Sequence, residues 1–581
     1  MCIKEFKAVA IVLWIKIFLC STLEHYPDQY EDYRYWQNLG NEELENAKDI
    51  FEHLNSNVAK NIILFIGDGM SLTTLTAARI YKSQYKGRKE RKRVNGEESY
   101  LTFERFPHVA LSKTYCADRQ TPDSASTASA IYSGVKTNFK TMGYDNSIIY
   151  KNISSQLTAN KVETIFQWAL DANKDVGFVT TSRVSHATPA ALYAHVASRD
   201  YECDKKLPED SPKQVEDITY QLVNNDPGRR AKVVMGGGIK SWISKNEYEE
   251  NWRRPRYDDY DHTEKEGFTC ERLDDENLIE KFLKKNKTVP GFENMKGKLV
   301  KSREDLLKLD ISDTDYVLGL FSDTHMQFED IRADKLDQPS LSEMTQVAIK
   351  MLQKNRQHGF FLMVEQSNID HAHHRNRGSA SLLETMVLDE AVEQALDLTS
   401  TEDTLIIVTS DHSHTMSMSG YQSRGSDIRG LVDTDKASDG LPYTILSYAN
   451  GPSFSKHFHV LNSSIVSRQN LTGKNDVYES FAFQNPSSAP KSSETHGGDD
   501  VGIFAKGPFS HLFHSVHEQT YIAHVMAYSS CIGPHRNAKH CSIQSKPTTT
   551  PINQQNKANN YRSKYSSPWL FVHLIFYRIF I

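Results

Sequence analysis

The chain has 581 residues and a formal net charge of -6, with 38% hydrophobic and 24% charged residues. That length suits one large α/β domain with insertions, or two or three ordinary domains. The balance is that of a soluble globular protein and gives no basis for a nucleic-acid partner.

At the amino end, Lys4 and Lys7 precede an apolar stretch over 8–20 and then Ser21 and Thr22, the layout of a secretory signal peptide over 1–22. Residues 23–57 follow as an acidic, amphipathic helical arm. The run Asn61 to Ile66 is β-branched and apolar and predicts a buried strand, after which Gly67 and Gly69 let the chain bend around Asp68. The basic run over 86–93 lacks interleaved aromatics and reads as a solvated loop. Next, Pro122-Asp123-Ser124 opens the small-residue run Ala125 to Ala130. This predicts a helix with Ser124 at its amino end, where the amide dipoles favour an anion and the hydroxyl is a candidate nucleophile. No His is close to Ser124 in sequence, so a bound metal would have to activate it.

Further strands are predicted over 176–181, 232–235, 359–364, 404–409 and 443–447, with helices over 340–354 and 381–398. The alternation implies a doubly wound α/β fold, a central and mostly parallel sheet flanked by helices, with ligands beyond the carboxyl ends of the strands. Asp and His cluster at those ends. Glu365 closes one strand, and Asp370 and His374 stand four apart, so on a helix they share one face. Asp411 and His412 follow another strand and can converge on one ion only if the chain has already turned. His496 lies after an exposed Ser, Asn and Gly-rich excursion over 420–491. Carboxylates and imidazoles gathered in one cleft suit several divalent cations. The charged, irregular stretch from 200 to 330 reads as an insertion.

Sequons at Asn152, Asn286, Asn462 and Asn470 fit an exported protein. Cys531 and Cys541 are close enough to close a small loop, and Cys116 with Cys203 is the second pairing expected, leaving Cys270. After 541, a polar linker over 542–567 contains small residues and leads into an apolar tail over 568–581, the layout of a lipid-anchor (GPI) signal. The expected location is the outer face of the plasma membrane, or the medium if no anchor is attached.

The segments 61–70, 109–115, 122–124, 185–190, 369–374, 409–414 and 518–527 together resemble the metazoan alkaline phosphatases, and the resemblance spans Trp36 to Cys541. It implies a catalytic domain over 23–541, in which 420–491 is a crown-like insertion, and a homodimer. It also implies hydrolysis of phosphate monoesters through a phosphoserine intermediate at two zinc ions and one magnesium. Ser124 matches the nucleophile and Arg199 the phosphate clamp. Asp370, His374 and His496 match one zinc site, Asp68, Asp411 and His412 the other, and Asp68, Thr188 and Glu365 the magnesium site. His186 and His371 match positions that tune the magnesium site, whereas His373 and His414 read as structural. Ser322 stands where animal relatives carry a calcium-binding Glu, although Asp337 matches another ligand of that site. Ser71, Thr121, Ser126 and Ser129 are small departures beside the site and imply an altered rate. No sulfatase-type Cys/Ser-x-Pro-x-Arg motif is present, and the complete ligand set argues against a catalytically silent surface protein.

Overall fold

A computed structural model describes residues 33–89, 95–252, 270–335, 337–461 and 464–543. The signal segment, Asn462, most of the linker and the apolar tail lie outside the described residues.

Ten strands form the central sheet: β1 (Asn61–Gly67), β2 (His108–Lys113), β3 (Asp175–Arg183), β4 (Val233–Gly237), β5 (Gly297–Val300), β6 (Tyr316–Leu320), β7 (Phe360–Gln366), β8 (Thr404–Thr409), β9 (Val501–Lys506) and β10 (Val516–Glu518). Their spatial order is β10-β2-β9-β8-β1-β7-β3-β4-β6-β5. Only β9 runs antiparallel to its neighbours. The strands β1, β7 and β8 are buried along their full length, as expected of parallel strands covered on both faces. In β1, Ile62, Leu64 and Ile66 face one apolar layer while Ile63 and Phe65 face the other, the period-two alternation of a pleated strand.

Five of the six predicted strands belong to this sheet. The sixth does not: the strand there spans Leu446–Gly451 and lies in a separate three-stranded sheet, antiparallel to Met416–Met418 and parallel to Ser487–Pro490. Periodicity alone cannot tell which sheet a short apolar run joins. The stretch from 200 to 330 is not a mere insertion either, because it supplies β4, β5 and β6 at one edge of the sheet. The helices Leu341–Leu352 and Gly378–Leu398 fall where the periodicity puts them. The first of these starts at a capping box, in which Ser340 and Glu343 satisfy each other's backbone amides. The arm is helical over Tyr33–Glu52. Among the described residues no helix is long and apolar enough to cross a membrane.

Cys531 is bonded to Cys541, as expected. The other disulfide joins Cys203 to Cys270, not Cys116 to Cys203. Cys116 is free and buried beside Asp118 and the carbonyl of Arg119, so it has no route to Cys203.

Candidate active site and metal centre

The site forms where β1, β3, β7 and β8 end. Asp68 follows β1 at a tight turn. Gly69 there has φ +70°, and a Cβ on it would come within 2.3 Å of the His414 ring, so the position demands glycine. Beyond β8, the Asp411 carboxylate accepts from the amides of Gly69 (3.0 Å) and His412 (2.9 Å). The chain has therefore turned, which is what lets the adjacent Asp411 and His412 face the same point. Asp370 and His374 lie on the helix Asn368–His374, with Nε2 of His374 3.3 Å from Oδ2 of Asp370. His496 is brought in by a two-residue ladder that pairs His496 with His414 and Gly497 with Ser413.

Each ligand imidazole is oriented in the same way. Nδ1 of His374 contacts the carbonyl of Glu494 (2.6 Å), Nδ1 of His496 that of Pro122 (2.9 Å), and Nδ1 of His412 that of Ser413 (3.3 Å). A carbonyl only accepts, so each Nδ1 carries the proton and each Nε2 presents a lone pair. Those lone pairs face other acceptors: Nε2 of His496 lies 3.3 Å from Nε2 of His374 and 3.3 Å from Oδ1 of Asp370. Around the second point, Nε2 of His412 lies 3.2 Å from Oδ2 of Asp411, 3.5 Å from Oδ1 of Asp68 and 3.2 Å from Oγ of Ser124. With zinc-to-ligand distances of about 2.0 to 2.1 Å, the ligand atoms of a tetrahedral site stand about 3.3 to 3.4 Å apart. Acceptors facing one another at that spacing suit a cation between them.

The carboxylates make the same point. Both oxygens of Asp68, Oε1 of Glu365, Oδ2 of Asp411 and Oγ1 of Thr188 are buried without a hydrogen-bond partner, a cost of several kcal/mol for charged groups unless a cation compensates it. Asp68, Thr188 and Glu365 offer oxygen alone, the donor set magnesium prefers. Burial, reinforced by the neighbouring Asp411, Asp370 and Glu365, pushes the Asp68 carboxyl well above its usual range. Burial raises Glu365 to about 7 against the pull of the Thr180 hydroxyl, and it raises Asp411 as well. The residues present thus fit two nitrogen-and-oxygen sites and one oxygen site.

Ser124 begins the helix Ser124–Ser133. Its neighbour Asp123 caps that helix, accepting from the amides of Ala125 and Ser126. Those amides are thereby taken by Asp123 and are not free to hold an anion, the role that the sequence reading expects of the helix terminus. The guanidinium of Arg199 is held at both ends, Nη1 by Oδ2 of Asp123 (3.1 Å) and Nη2 by Nε2 of His186 (2.9 Å). Tertiary folding puts Nε2 of His412, one of the lone pairs that face the cation position, 3.2 Å from Oγ of the serine.

Three further residues position these groups, of which the sequence reading names only His414, as structural. His414 bridges Oδ1 of Asp370 (2.6 Å) and the carboxylate of Glu494. It stands in one group of potential donors with Asp370, His374 and His496, but both its ring nitrogens are turned to carboxylates, which raise it to about 10 although burial disfavours its charge. Glu494, just before Thr495-His496, also accepts from the amide of Thr415 (2.7 Å). Asp123 links the nucleophile helix to Arg199. Asp123 and Glu494 each have a sequence signal in their place beside a predicted site residue, Ser124 and His496 respectively. His373 bonds Thr74 and Tyr448 and is structural.

His186, His325 and His371 also cluster. Nε2 of His325 accepts from Nη1 of Arg183 (2.6 Å) as that of His186 does from Arg199. Lone pairs given to guanidinium groups are not available to a cation. His186 therefore holds the clamp, and His371 packs at 4.1 Å from the His325 ring.

Residues 59–532 match the protein family described as alkaline phosphatase. The chain is 42% identical over 544 residues to the tissue-nonspecific isozyme of alkaline phosphatase from Gallus gallus, covering 93% of this chain and 97% of that one. It is 37% identical over 482 residues to the membrane-bound alkaline phosphatase of Bombyx mori, covering 82% and 81%. Among solved structures, the alkaline phosphatase of Thermus thermophilus matches with a TM-score of 0.55 at 21% identity, over 82% of this chain and 92% of that chain, a likeness of fold.

Proposed function

The chain belongs to the alkaline phosphatase family and is a phosphoric monoester hydrolase, and from that premise we propose that it works through a phosphoserine on Ser124 at two zinc ions and one magnesium. Asp370, His374 and His496 would hold one zinc, Asp68, Asp411 and His412 the other, and Asp68, Thr188 and Glu365 the magnesium. Bound there, the cations supply Lewis acidity toward phosphate oxygens and lower the pKa of a neighbouring hydroxyl.

The protein's own groups do the rest. Arg199 takes two phosphate oxygens through one planar fork, which Asp123 and His186 keep aimed. Oγ of Ser124 attacks phosphorus, the ester oxygen leaves with its alcohol, and water then cleaves the Ser124 ester to release phosphate. Asp123 fixes the amino end of the serine's helix, and His414 and Glu494 hold Asp370 and His374 in orientation. What carries this reading is the gathering of three imidazole lone pairs and orphaned carboxylate oxygens around two neighbouring points, with Nε2 of His412 3.2 Å from Oγ of Ser124.

We also place the enzyme on the outer face of the plasma membrane as a lipid-anchored glycoprotein homodimer. The polar linker with its apolar tail, the sequons and the membrane-bound relative support the anchor and the glycans, and the homodimer rests on the family resemblance.

Ser124→Ala tests the mechanism. Purified protein incubated with labelled aryl phosphate and quenched in acid should retain label on the wild type and none on the variant; a labelled variant shows that another residue is the nucleophile. Elemental analysis should return zinc and magnesium near two to one. A phosphatidylinositol-specific lipase should release the protein from cells, and retention after treatment overturns the anchor.

A further inference from the structure

Lys140 occupies an unusual place beside the clamp. Its backbone has φ +64°, a left-handed conformation that is uncommon outside glycine and concentrates at functional sites. Two bonds hold it there. Its amide donates to Oδ1 of Asp123 (2.7 Å), and its carbonyl accepts from the amide of Arg199 (2.9 Å). The residue thus joins the cap of the nucleophile helix to the backbone of the phosphate clamp.

The side chain runs over an aromatic rim, with Nζ 5.5 Å from the ring centre of Phe139 and 5.8 Å from that of Tyr150. Asp200, next to Arg199, is the acid of this rim, and it is already engaged by the Tyr150 hydroxyl (3.1 Å) and by Nζ of Lys151 (3.5 Å). Burial would raise the Asp200 carboxyl, but that hydroxyl and the charges of Arg199, Lys151 and Lys140 keep it below its usual range, so three cations surround one carboxylate. Arg199 is neutralised by Asp123. The Lys140 ammonium is the cation left over. It is half-buried, and no carboxylate lies within ion-pair distance of it among the described residues.

Resting on the proposed phosphomonoesterase reading, we propose that Lys140 is a specificity-determining residue that favours phosphate monoesters whose alcohol carries a second anionic group near the ester oxygen. A strongly hydrated ammonium acts as a point charge, without the planar geometry that Arg199 applies to the reacting phosphate. Its partner is therefore a charge on the leaving alcohol at the rim. The ester bond broken and the serine ester formed are those of the general reaction, and Lys140 touches neither.

The test compares 3-carboxyphenyl phosphate with phenyl phosphate, which differ by one carboxylate. Lys140→Asn keeps a residue that tolerates a left-handed backbone, and Lys140→Gln keeps the length. Each should lower kcat/KM for the carboxylated ester about threefold to fivefold, the scale of a partly exposed charge pair, and leave phenyl phosphate unchanged. Lys140→Glu should widen the gap, and high salt should erase the wild type's preference. An unchanged ratio in all three variants overturns the proposal. So does an equal fall for both esters, because Lys140 would then act only as scaffold. A labelled Ser124→Ala protein would instead sink the nucleophile and leave the substrate ratio standing.

Discussion

Glu365→Gln in the metal-stripped protein is a direct test of whether the oxygen site is built to be completed by a cation. Glu365 is fully buried at the end of β7, one of its oxygens has no partner, and its carboxyl is raised from 4.5 to about 7. The folded chain therefore holds this proton more tightly than the unfolded chain does. Its contribution to stability is complete below about pH 4.5 and is lost as pH rises through 7. A difference of about 2.5 pKa units corresponds to about 3 kcal/mol at pH 8. For a domain of this size that is about 3 °C in melting temperature. Other groups pull the opposite way. Burial lowers His374 to about 4 and His371 to about 3, so stability gained from keeping them neutral rises between those values and pH 6.5. The diagnostic quantity is accordingly the difference between variant and wild type. Urea unfolding after chelation should show the two equal near pH 4 and the variant ahead by about 3 kcal/mol near pH 8, whereas added magnesium should stabilise the wild type more. A difference that stays flat with pH, or favours the wild type without metal, refutes the reasoning.

Replacing Arg199 by Lys keeps the charge and loses the fork that Asp123 and His186 orient. The inhibition constant for inorganic phosphate should rise about tenfold to a hundredfold, the worth of one hydrogen bond to a charged group, and an unchanged constant would remove Arg199 from phosphate binding. Cys270→Ser opens a disulfide that closes a 67-residue separation, and chain-entropy reasoning puts the loss at about 4 kcal/mol. Cys116→Ser should cost about 1 kcal/mol by comparison, as a small change at a buried site. Equal melting temperatures for the two variants under non-reducing conditions would contradict that assignment.

The sheet's centre was legible because β1, β7 and β8 are buried on both faces and carry long apolar runs, and β3, equally buried, carries a shorter one before its Thr and Ser residues. The edge was not. Gly297–Val300 is partly exposed and Val516–Glu518 only three residues long, too little for a periodic signal. The ligand residues were legible one by one from their types and from the glycines beside Asp68, but spacing along the chain says nothing of contacts between residues hundreds apart. Ser124 and His412 are separated by 288 positions and meet at 3.2 Å. The same holds for the disulfide, where Cys116 and Cys270 are equally plausible partners until the chain is folded.

The ladder between His414 and His496 has a further consequence. The excursion over 420–491 leaves and returns beside this two-residue clasp, and it is also fastened to the body through Tyr448 on His373, Asn485 on Asn376 and Gly378, and Ile428 on Gln84. Since closing a longer loop adds only about 0.6 kcal/mol per doubling, the exposed turns between those fastenings can lengthen at little cost while the imidazole of His496 keeps its station. A change of length in those turns is thereby kept away from the imidazole that the clasp holds.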